Sequence, residues 1–230
     1  MEYVGQELDL VKDVNNFRNY WGKAIEPYLG KDVLEVGAGL GSNMKVLINK
    51  KAIERYVCIE PDKKLSAQIK NPQPSKSLEV HTCLLKDLDP KEKFDSILYI
   101  DVIEHIEDAE SEVALATQYL KPGGHLIILV PAYNFLFNEF DKAIGHFRRY
   151  NKSMLRNSIP KEMKQEKLFY LDSVGFFASL VNKLFLHQSY PTKKQIQFWD
   201  GVMVQFSKVS DLLLFKSMGK SLIGIWKKLD

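Results

Sequence analysis

The sequence predicts an α/β fold built around a parallel β-sheet, and three features of residues 31–131 lead to this prediction. Short apolar runs rich in β-branched residues alternate with longer amphipathic stretches, which is typical of repeated strand–helix–strand units. Several of these runs are apolar on both faces, as parallel strands covered on both sides should be. The stretches between them leave room for crossover helices.

The elements follow from this alternation in chain order. Strands are predicted at residues 32–36, 55–59, 78–84, 94–100 and 125–130, and two more at 163–174 and 221–228. Helices are predicted from about residue 42 to 49, 63 to 70 and 109 to 120, where apolar residues recur at helical period. The LKPGG run at 120–124 is expected to end the last of these helices.

Two segments flank the predicted core of residues 31–174 in what we expect to be a single domain. Residues 1–30 carry aromatic residues at roughly helical spacing and predict a helical cap; they are Phe17, Tyr20, Trp21 and Tyr28, of which Tyr20 and Trp21 are candidate substrate contacts. Residues 175–218 are too long for a hairpin and predict two or more helices packed over the sheet, before a last strand within 219–230.

Composition excludes several classes of protein. The chain has 230 residues and a net charge of +3 from 32 basic and 29 acidic residues, so a dedicated nucleic-acid binder is not expected. Cys58 and Cys83 lie in apolar runs without metal-site spacing, which predicts reduced core residues in a cytoplasmic protein. The N-terminus lacks a signal-peptide pattern, and no run approaches the ~20 apolar residues of a membrane span.

A glycine-rich turn follows the first predicted strand. The strand VLEV continues directly into GAGLG, which places Gly37, Gly39 and Gly41 where the chain turns into a helix. Such a turn needs residues that tolerate positive φ, and the amides that begin the helix favour a carboxylate or phosphate. A plain tight turn is the alternative, but the position after a buried strand favours a ligand site.

A carboxylate follows the second strand, which ends in CIEPD. Glu60 therefore lies about twenty residues past the glycines, where a carboxylate can accept hydrogen bonds from both hydroxyls of a ribose. Nicotinamide-cofactor enzymes share this geometry, so the pair indicates an adenosine-containing ligand. Ser42 stands where the dinucleotide fingerprint has Gly or Ala. Glu35 can organise the loop and offset a cationic ligand, or it can pair with a lysine.

Four motifs in order, VLEVGAGLG, CIEPD, FDSILYIDVIEHIED and LKPGGHLIILVP, resemble the successive motifs of class I S-adenosylmethionine-dependent methyltransferases. The resemblance covers roughly residues 15–230 and implies that S-adenosylmethionine is the cofactor. It implies a Rossmann-like, seven-stranded, mostly parallel sheet whose last strand is antiparallel, with helices on both faces. The match for that last strand is SLIGIWKK.

The resemblance also implies roles for individual residues. The methionine part of the cofactor would lie against Gly37, Ala38, Gly39 and Gly41, with Asp101 near its amino group. Glu60 would bind the ribose, and Pro61 and Asp62 would border the adenosine. Many relatives carry an Asp beside the adenine, whereas the CLLKDL stretch offers Leu84 and Leu85 with Asp87 nearby.

Two histidines are candidate bases. The sulfonium makes the methyl group electrophilic, so catalysis requires an aligned nucleophile, exclusion of water and in some cases a base, but no metal. His105 and His146 titrate near neutrality and can remove a proton from the acceptor. A structural cap or packing role is the alternative for His105.

The segment DKAIGHFRRYNKSML at 141–155 follows the fifth strand at the edge where parallel sheets bind ligands. It predicts a substrate clamp, in which Arg148 and Arg149 grip a carboxylate or phosphate while His146 takes the proton and Tyr150 lies nearby. The alternative is a solvated basic loop before a helix. The GHxRRY run also resembles a subset of bacterial methyltransferases.

The leading hypothesis is therefore a methyltransferase acting at O, N or C of a small molecule, partly hydrophobic or anionic. A nicotinamide-dependent oxidoreductase and a non-catalytic adenosyl-binding protein are the alternatives. The 175–218 segment is interpreted as ordinary helix packing or an apolar substrate cover. A third interpretation is a dimer face or a peripheral membrane contact, because Lys183, Lys193 and Lys194 flank its aromatic residues. The chain is expected to be a monomer or a homodimer.

Overall fold

The computed structural model describes residues 7–186, 188 and 190–229. In this part of the chain, seven strands form one sheet in the order β3-β2-β1-β4-β5-β7-β6. They are β1 (Asp32–Val36), β2 (Arg55–Ile59), β3 (Ser77–His81), β4 (Phe94–Ile100), β5 (Leu120–Pro131), β6 (Met163–Leu171) and β7 (Ser221–Lys228). Strand β7 is antiparallel to β5 and β6, and the other pairings are parallel. This topology confirms the predicted fold class.

Helices surround the sheet. They are α1 (Glu7–Val11), α2 (Asn15–Ile25), α3 (Ser42–Leu47), α4 (Lys63–Ser66), α5 (Ala109–Gln118), α6 (Glu139–Ala143), α7 (Lys152–Asn157), α8 (Ser173–Val181), α9 (Lys193–Phe198) and α10 (Val204–Leu213). A π-helical turn at Asn182–Leu186 extends α8, and another at Trp199–Met203 joins α9 to α10. The 175–218 segment is thus helical along most of its length.

The strands are buried on both faces because their successive residues enter two different cores. Leu34 belongs to a core that α5 covers through Val113, whereas its neighbour Val33 belongs to a second core. That second core includes Trp21 of α2 and Met44 of α3. The alternation follows from the period of two in a β-strand. Helices therefore lie on both faces of the sheet, as predicted.

The N-terminal helices are tied to the 175–218 segment by a buried carboxylate. Asp200 accepts hydrogen bonds from the backbone amides of Asn15, Asn16 and Phe17 at 2.8–3.1 Å. These amides begin α2 and have no partner within the helix, so Asp200 caps it from a distant part of the chain. This contact fixes α2 beside the helices that precede β7.

Several predicted element bounds were wrong. Strand β6 ends at Leu171 because Asp172, at φ +67°, turns the chain and caps α8 by accepting from the Gly175 amide. Strand β3 ends at His81, and α3, α4 and α5 end before their predicted last residues. The fifth strand was predicted to begin at residue 125, but β5 already includes the LKPGG run, and its first residue Leu120 pairs with Phe94.

The two cysteines are reduced, as predicted, with Cys58 buried and Cys83 half-buried against the core. Among the described residues, no helix combines the length and the apolar character needed to cross a membrane.

Candidate active site

The glycine turn between β1 and α3 has the predicted backbone. Gly37, Gly39 and Gly41 have φ values of +68°, +54° and +70°. The space is also restricted, because a Cβ on Gly37 would lie 2.8 Å from the Val102 side chain. The amides of Gly37 and Ala38 donate to the Ile59 carbonyl of β2 at 2.9 and 3.1 Å. The turn is thus held against the end of the neighbouring strand.

Glu60 braces the same turn. Its carboxylate accepts from the Gly39 amide at 2.8 Å through Oε2 and from the Asp62 amide at 2.9 Å through Oε1. Burial raises the pKa of Glu60, although the two amide hydrogen bonds oppose that rise. Each carboxylate oxygen has a second lone pair, so both remain able to accept a ligand hydroxyl.

Glu35 is buried directly below the turn, with 1% of its surface exposed. It accepts hydrogen bonds from Asn43 Nδ2 of α3 at 3.0 Å and from the Tyr56 hydroxyl of β2 at 2.8 Å. Burial raises the pKa of Glu35 to about 7, against the effect of these two donors. Asn43 in turn accepts from Arg18 Nε at 3.1 Å. Glu35 is therefore linked to an arginine through an amide, and the lysine pairing considered above does not occur.

The residues expected to border the adenosine lie apart from the large cavity described next. Asp62 caps α4 by accepting from the amides of Lys64 and Leu65 at 2.7 and 3.1 Å, and Pro61 precedes it. Leu85 is buried in the core, whereas Leu84 is exposed. Of the pair, only Leu84 is placed to meet a ligand from solvent.

A cavity of about 700 Å³ opens beside the glycine turn, at the carboxyl ends of β1, β4 and β5. This is the edge of a parallel sheet at which ligands bind. Its walls come from the N-terminal helices, from the loop after β5 and from the helices that precede β7. The charged and titratable groups in the lining are Arg18, Asp101, Glu104, His105, Asp141, His146, Arg149, Lys194 and Lys220.

His146 and Asp141 form a hydrogen-bonded pair in this lining. His146 Nδ1 lies 2.9 Å from Asp141 Oδ1, and both side chains are almost fully buried. Burial by itself would raise the pKa of Asp141, but hydrogen bonds from His146 and Arg149 outweigh it and lower the pKa. Because an ionised carboxylate only accepts, Nδ1 donates to Asp141, which leaves Nε2, 3.8 Å from Glu104 Oε1, as the ring nitrogen that can accept a proton.

Two further groups surround the His146 ring. The His105 ring lies edge-on to it, with centroids 4.5 Å apart, and burial lowers the pKa of His105 to about 4. Glu104 is 0% exposed, neither of its carboxylate oxygens has a hydrogen-bond partner, and burial raises its pKa well above the usual range. Burial therefore disfavours the charged forms of both His105 and Glu104.

The two arginines of the GHxRRY run point in different directions. Arg149 is buried, donates from Nε to both Asp141 oxygens at 2.9 and 3.0 Å, and has an unpartnered Nη1. Arg148 instead donates to the Glu107 carbonyl at 2.8 Å and does not line the cavity. Tyr150 is buried in the core, with its hydroxyl 3.4 Å from the Ile103 carbonyl. The structure brings only Arg149 of these three to His146.

Acidic and basic residues both line the cavity. Asp101 follows β4 with φ +54°, a backbone conformation that costs a non-glycine residue about 1–3 kcal/mol and is common at functional sites. Enclosure by the cavity walls raises the pKa of its carboxyl group, while His146, Lys220 and Arg18 oppose the rise. Lys220 Nζ lies 4.1 Å from the centre of the Trp199 ring, and burial lowers its pKa.

Of the two N-terminal aromatic candidates, only Trp21 lines the cavity, where it is buried. The Tyr20 hydroxyl donates to Asp211 at 3.0 Å and lies outside the lining. Helix α1 reaches the glycine turn, since Leu8 lies 3.7 Å from where a Cβ on Gly39 would be.

A cation can be accommodated beside His146. Glu104, His105 and His146 each offer one ligand atom, and these atoms lie within 4.8 Å of one another. Ligation would require the Glu104 carboxylate to be ionised, which its burial opposes in the absence of a cation.

Sequence reasoning did not single out Asp141, Arg18 and Lys220, which the structure places in the cavity lining. Asp141 had a signal, because it begins the DKAIGHFRRY run five residues before His146. Arg18 and Lys220 come from opposite ends of the chain, and no local pattern relates them to the glycine turn.

Comparison with known proteins identifies the family. A family model described as a methyltransferase domain matches residues 16–182, well over half of the chain. The chain belongs to this methyltransferase family. Membership confirms the predicted enzyme class, S-adenosylmethionine-dependent methyltransferases.

Individual curated relatives match this methyltransferase over only about half of its sequence, at low identity. A ubiquinone biosynthesis O-methyltransferase of Bradyrhizobium sp. (strain ORS 278) is 25% identical over 121 residues, which are 46% of this chain and 42% of that protein. The matched region spans between 29% and 53% of the length of the curated relatives.

Solved structures share the fold over almost the whole chain. A putative methyltransferase in complex with the Haloferax volcanii Trm112 methyltransferase activator has a TM-score of 0.65 at 15% identity, covering 99% of this chain and 98% of that one. The N-methyltransferase NodS from Bradyrhizobium japonicum WM9, in complex with S-adenosyl-L-homocysteine, has a TM-score of 0.61 at 11% identity, covering 99% and 93%. At these identities the likeness concerns the fold alone.

Proposed function

We propose that this chain transfers the methyl group of S-adenosylmethionine to a hydroxyl group of a small-molecule acceptor. The observation that carries the proposal is the His146–Asp141 pair, which places a basic imidazole nitrogen in a cavity that adjoins the glycine turn. The O-methyltransferase relative favours oxygen over nitrogen or carbon as the acceptor atom.

The cofactor is assigned to the glycine turn. Gly37, Ala38 and Gly39 line the cavity and would face the methionine part, with Asp101 within reach of the amino group. Gly41 shapes the turn through its positive φ. Glu60 would accept from the ribose hydroxyls with its remaining lone pairs while it still braces Gly39. Pro61, Asp62 and the exposed Leu84 would border the adenosine.

The site supplies a base and excludes water. The cofactor, when bound, presents an electrophilic methyl group on a positively charged sulfur. His146 Nε2 would accept the hydroxyl proton as the acceptor oxygen takes the methyl group, and the carbon–sulfur electron pair would remain on the sulfur of the departing S-adenosylhomocysteine. Asp141 stabilises the imidazolium that results, as a buried carboxylate does in a catalytic triad. His105, uncharged beside it, excludes water and holds the His146 ring.

Arg149 orients the acceptor in this proposal. Its Nη1 is a buried donor without a partner, and such a group demands an acceptor atom because leaving it unpaired is costly. An oxygen adjacent to the methylated hydroxyl would satisfy it. The apolar walls from Trp21, Ile196 and Met203 would contact a hydrophobic part of the same molecule.

Calorimetric titration tests the assignment against the two alternative functions. We expect the wild-type protein to bind S-adenosylhomocysteine and not NADH, and Glu60→Gln to weaken that binding by about 10-fold or more, the loss of one charge-assisted hydrogen bond. NADH binding alone would instead indicate an oxidoreductase. Binding of S-adenosylhomocysteine without methyl transfer from S-adenosylmethionine to any hydroxyl-bearing small molecule in a broad panel would favour a non-catalytic adenosyl-binding protein.

A further inference from the structure

The helices between β6 and β7 present a large apolar surface to the outside, which we call the outer face. Its side chains are between 40% and 91% exposed. They are Phe177, Val181, Leu184, Phe185, Leu186, Phe198, Val202, Phe206, Val209, Leu212, Leu213 and Phe215. Contiguous apolar surface of this kind marks a site of contact with another molecule or with a membrane.

Helices α9 and α10 expose a stripe of apolar residues that an ordinary surface helix would not. The exposed residues Phe198, Val202, Phe206, Val209 and Leu213 recur at steps of three or four, so they form one stripe. The opposite side carries the buried residues Asp200, Val204, Ser207 and Asp211. The side that faces the protein thus carries polar as well as apolar groups, while a stripe of apolar side chains faces outward, where a helix covering a core normally has polar residues.

Hydrogen bonds fix the helices in this orientation. Asp211 accepts from the amides of Asp172 and Ser173 at 2.8 Å each, and the Ser207 hydroxyl donates to Asp172 at 2.6 Å. The Ser173 and Ser210 hydroxyls lie 2.6 Å apart. Rotating α10 to hide its apolar stripe would strip these buried groups of their partners, at a cost of about 1–3 kcal/mol each.

The charge of this segment is positive at the surface. Between residues 173 and 220 the sequence has six lysines and two acidic residues. Both acids, Asp200 and Asp211, are buried and hydrogen-bonded, whereas Lys193 and Lys194 are exposed in the first turn of α9. Exposed lysines beside an apolar helix face are complementary to anionic lipid headgroups. A second copy of this face would instead bring like charges together.

The outer face is continuous with the mouth of the cavity. Leu186 and Phe198 belong to the cavity lining and are also 64% and 57% exposed. Lys194 lies in the same lining. If another surface covers the outer face, a molecule that leaves that surface can therefore enter the cavity directly.

We propose that the outer face docks this methyltransferase on the surface of an anionic phospholipid bilayer. Its phenylalanines and leucines enter the interfacial region, and the lysines contact the headgroups. The cavity then opens toward the lipid, so that the acceptor is an amphiphile with an apolar tail; this last step rests on the proposed function, whereas the docking itself does not.

Vesicle flotation tests the docking. The wild-type protein is expected to float with phosphatidylcholine vesicles that contain phosphatidylglycerol, and less with phosphatidylcholine alone, with added salt weakening the first interaction. Phe206→Asp combined with Phe185→Asp should reduce binding at least about 10-fold, since each change removes one exposed phenylalanine side chain that would enter the bilayer interface. Leu229→Asp is the matched control, because Leu229 is 55% exposed and lies outside the outer face. Lys193→Glu with Lys194→Glu should remove the preference for anionic vesicles.

Two results would overturn the proposal. One is a wild-type protein that does not float with anionic vesicles. The other is that the double aspartate variant floats like wild type, but sedimentation shows a dimer for the wild-type protein and a monomer for the variant. That result would assign the outer face to contact with a second copy of the chain. S-adenosylhomocysteine titration of the same samples separates the two proposals: vesicle binding without cofactor binding would end the proposed function and leave the docking intact.

Discussion

Nδ1 of His146 lies 2.9 Å from Oδ1 of Asp141, and Arg149 holds the same carboxylate from the other side at 2.9 and 3.0 Å. Three groups separated by at most eight residues in the sequence thus form one buried unit. The backbone of the loop is fixed as well, because the Phe147 amide donates to the Glu104 carbonyl at 2.8 Å. The His146 ring is thereby held in one orientation at the cavity wall.

Replacing His146 should abolish most of the turnover while sparing the cofactor. His146→Ala is expected to lower kcat by about 100-fold to 10,000-fold, the usual contribution of a general base, with S-adenosylhomocysteine affinity unchanged. His105→Asn is the comparison, and its loss should stay below about 10-fold. Initial rates and calorimetric titrations measure both quantities. Equal losses in the two variants would remove the distinction between base and packing partner.

Arg149 and Arg148 provide a matched pair. Arg149→Lys keeps the positive charge but removes the planar guanidinium group. It should raise the KM for the acceptor by roughly 10-fold to 100-fold, which corresponds to the free energy of one hydrogen bond to a charged group. Arg148→Lys changes a group that contacts the Glu107 carbonyl outside the cavity, so its KM should match wild type. Steady-state kinetics with varied acceptor measures the difference. An Arg148 variant impaired as much as the Arg149 variant would restore the two-arginine clamp.

Glu35 should make stability fall with rising pH. Burial raises its pKa from 4.5 to about 7, so between these values the folded protein holds a proton that the unfolded chain has lost. The stabilising contribution is complete below the unfolded pKa and is lost as pH rises through the folded pKa. The change corresponds to about 3 kcal/mol. Denaturant unfolding at pH 5 and pH 8 should therefore show a larger decrease in wild type than in Glu35→Gln; parallel decreases would show that Glu35 does not titrate in this range.

Chelation tests whether the Glu104, His105 and His146 cluster works without a metal. We expect turnover to be unchanged after dialysis against EDTA, because methyl transfer from a sulfonium needs no Lewis acid. The measurement is the initial rate before and after chelation, followed by addition of Mg²⁺, Mn²⁺ or Zn²⁺. Activity that disappears on chelation and returns with one of these ions would reassign His146 from base to metal ligand.

The glycine turn and its contact with Glu60 could be predicted because their determinants are local in sequence. The turn at Gly37 to Gly41 follows directly from a buried strand, and Glu60 follows the next strand, so strand pairing alone brings them together. The substrate side depends on tertiary contacts. Arg148 and Arg149 are neighbours with the same chemistry, and only the path of the loop decides which one turns inward.

The 175–218 segment was predicted to be helical, but its orientation could not be. A helix with one apolar stripe is normally placed with that stripe inward. Here the buried side carries Asp200 and Asp211, whose partners lie in α2 and before α8, far away in sequence. Such long-range hydrogen bonds leave no periodic signal, so the sequence pattern left open whether the apolar stripe packs against the core or faces outward.

The central claim is that S-adenosylmethionine binds at the glycine turn with its sulfur directed toward His146. A crystal structure with S-adenosylhomocysteine tests it most directly. The predicted result is a ligand whose ribose hydroxyls contact Glu60, whose methionine part lies along Gly37 to Gly39, and whose sulfur faces the cavity that His146 lines. A ligand bound elsewhere, or one whose sulfur faces away from His146, would contradict it.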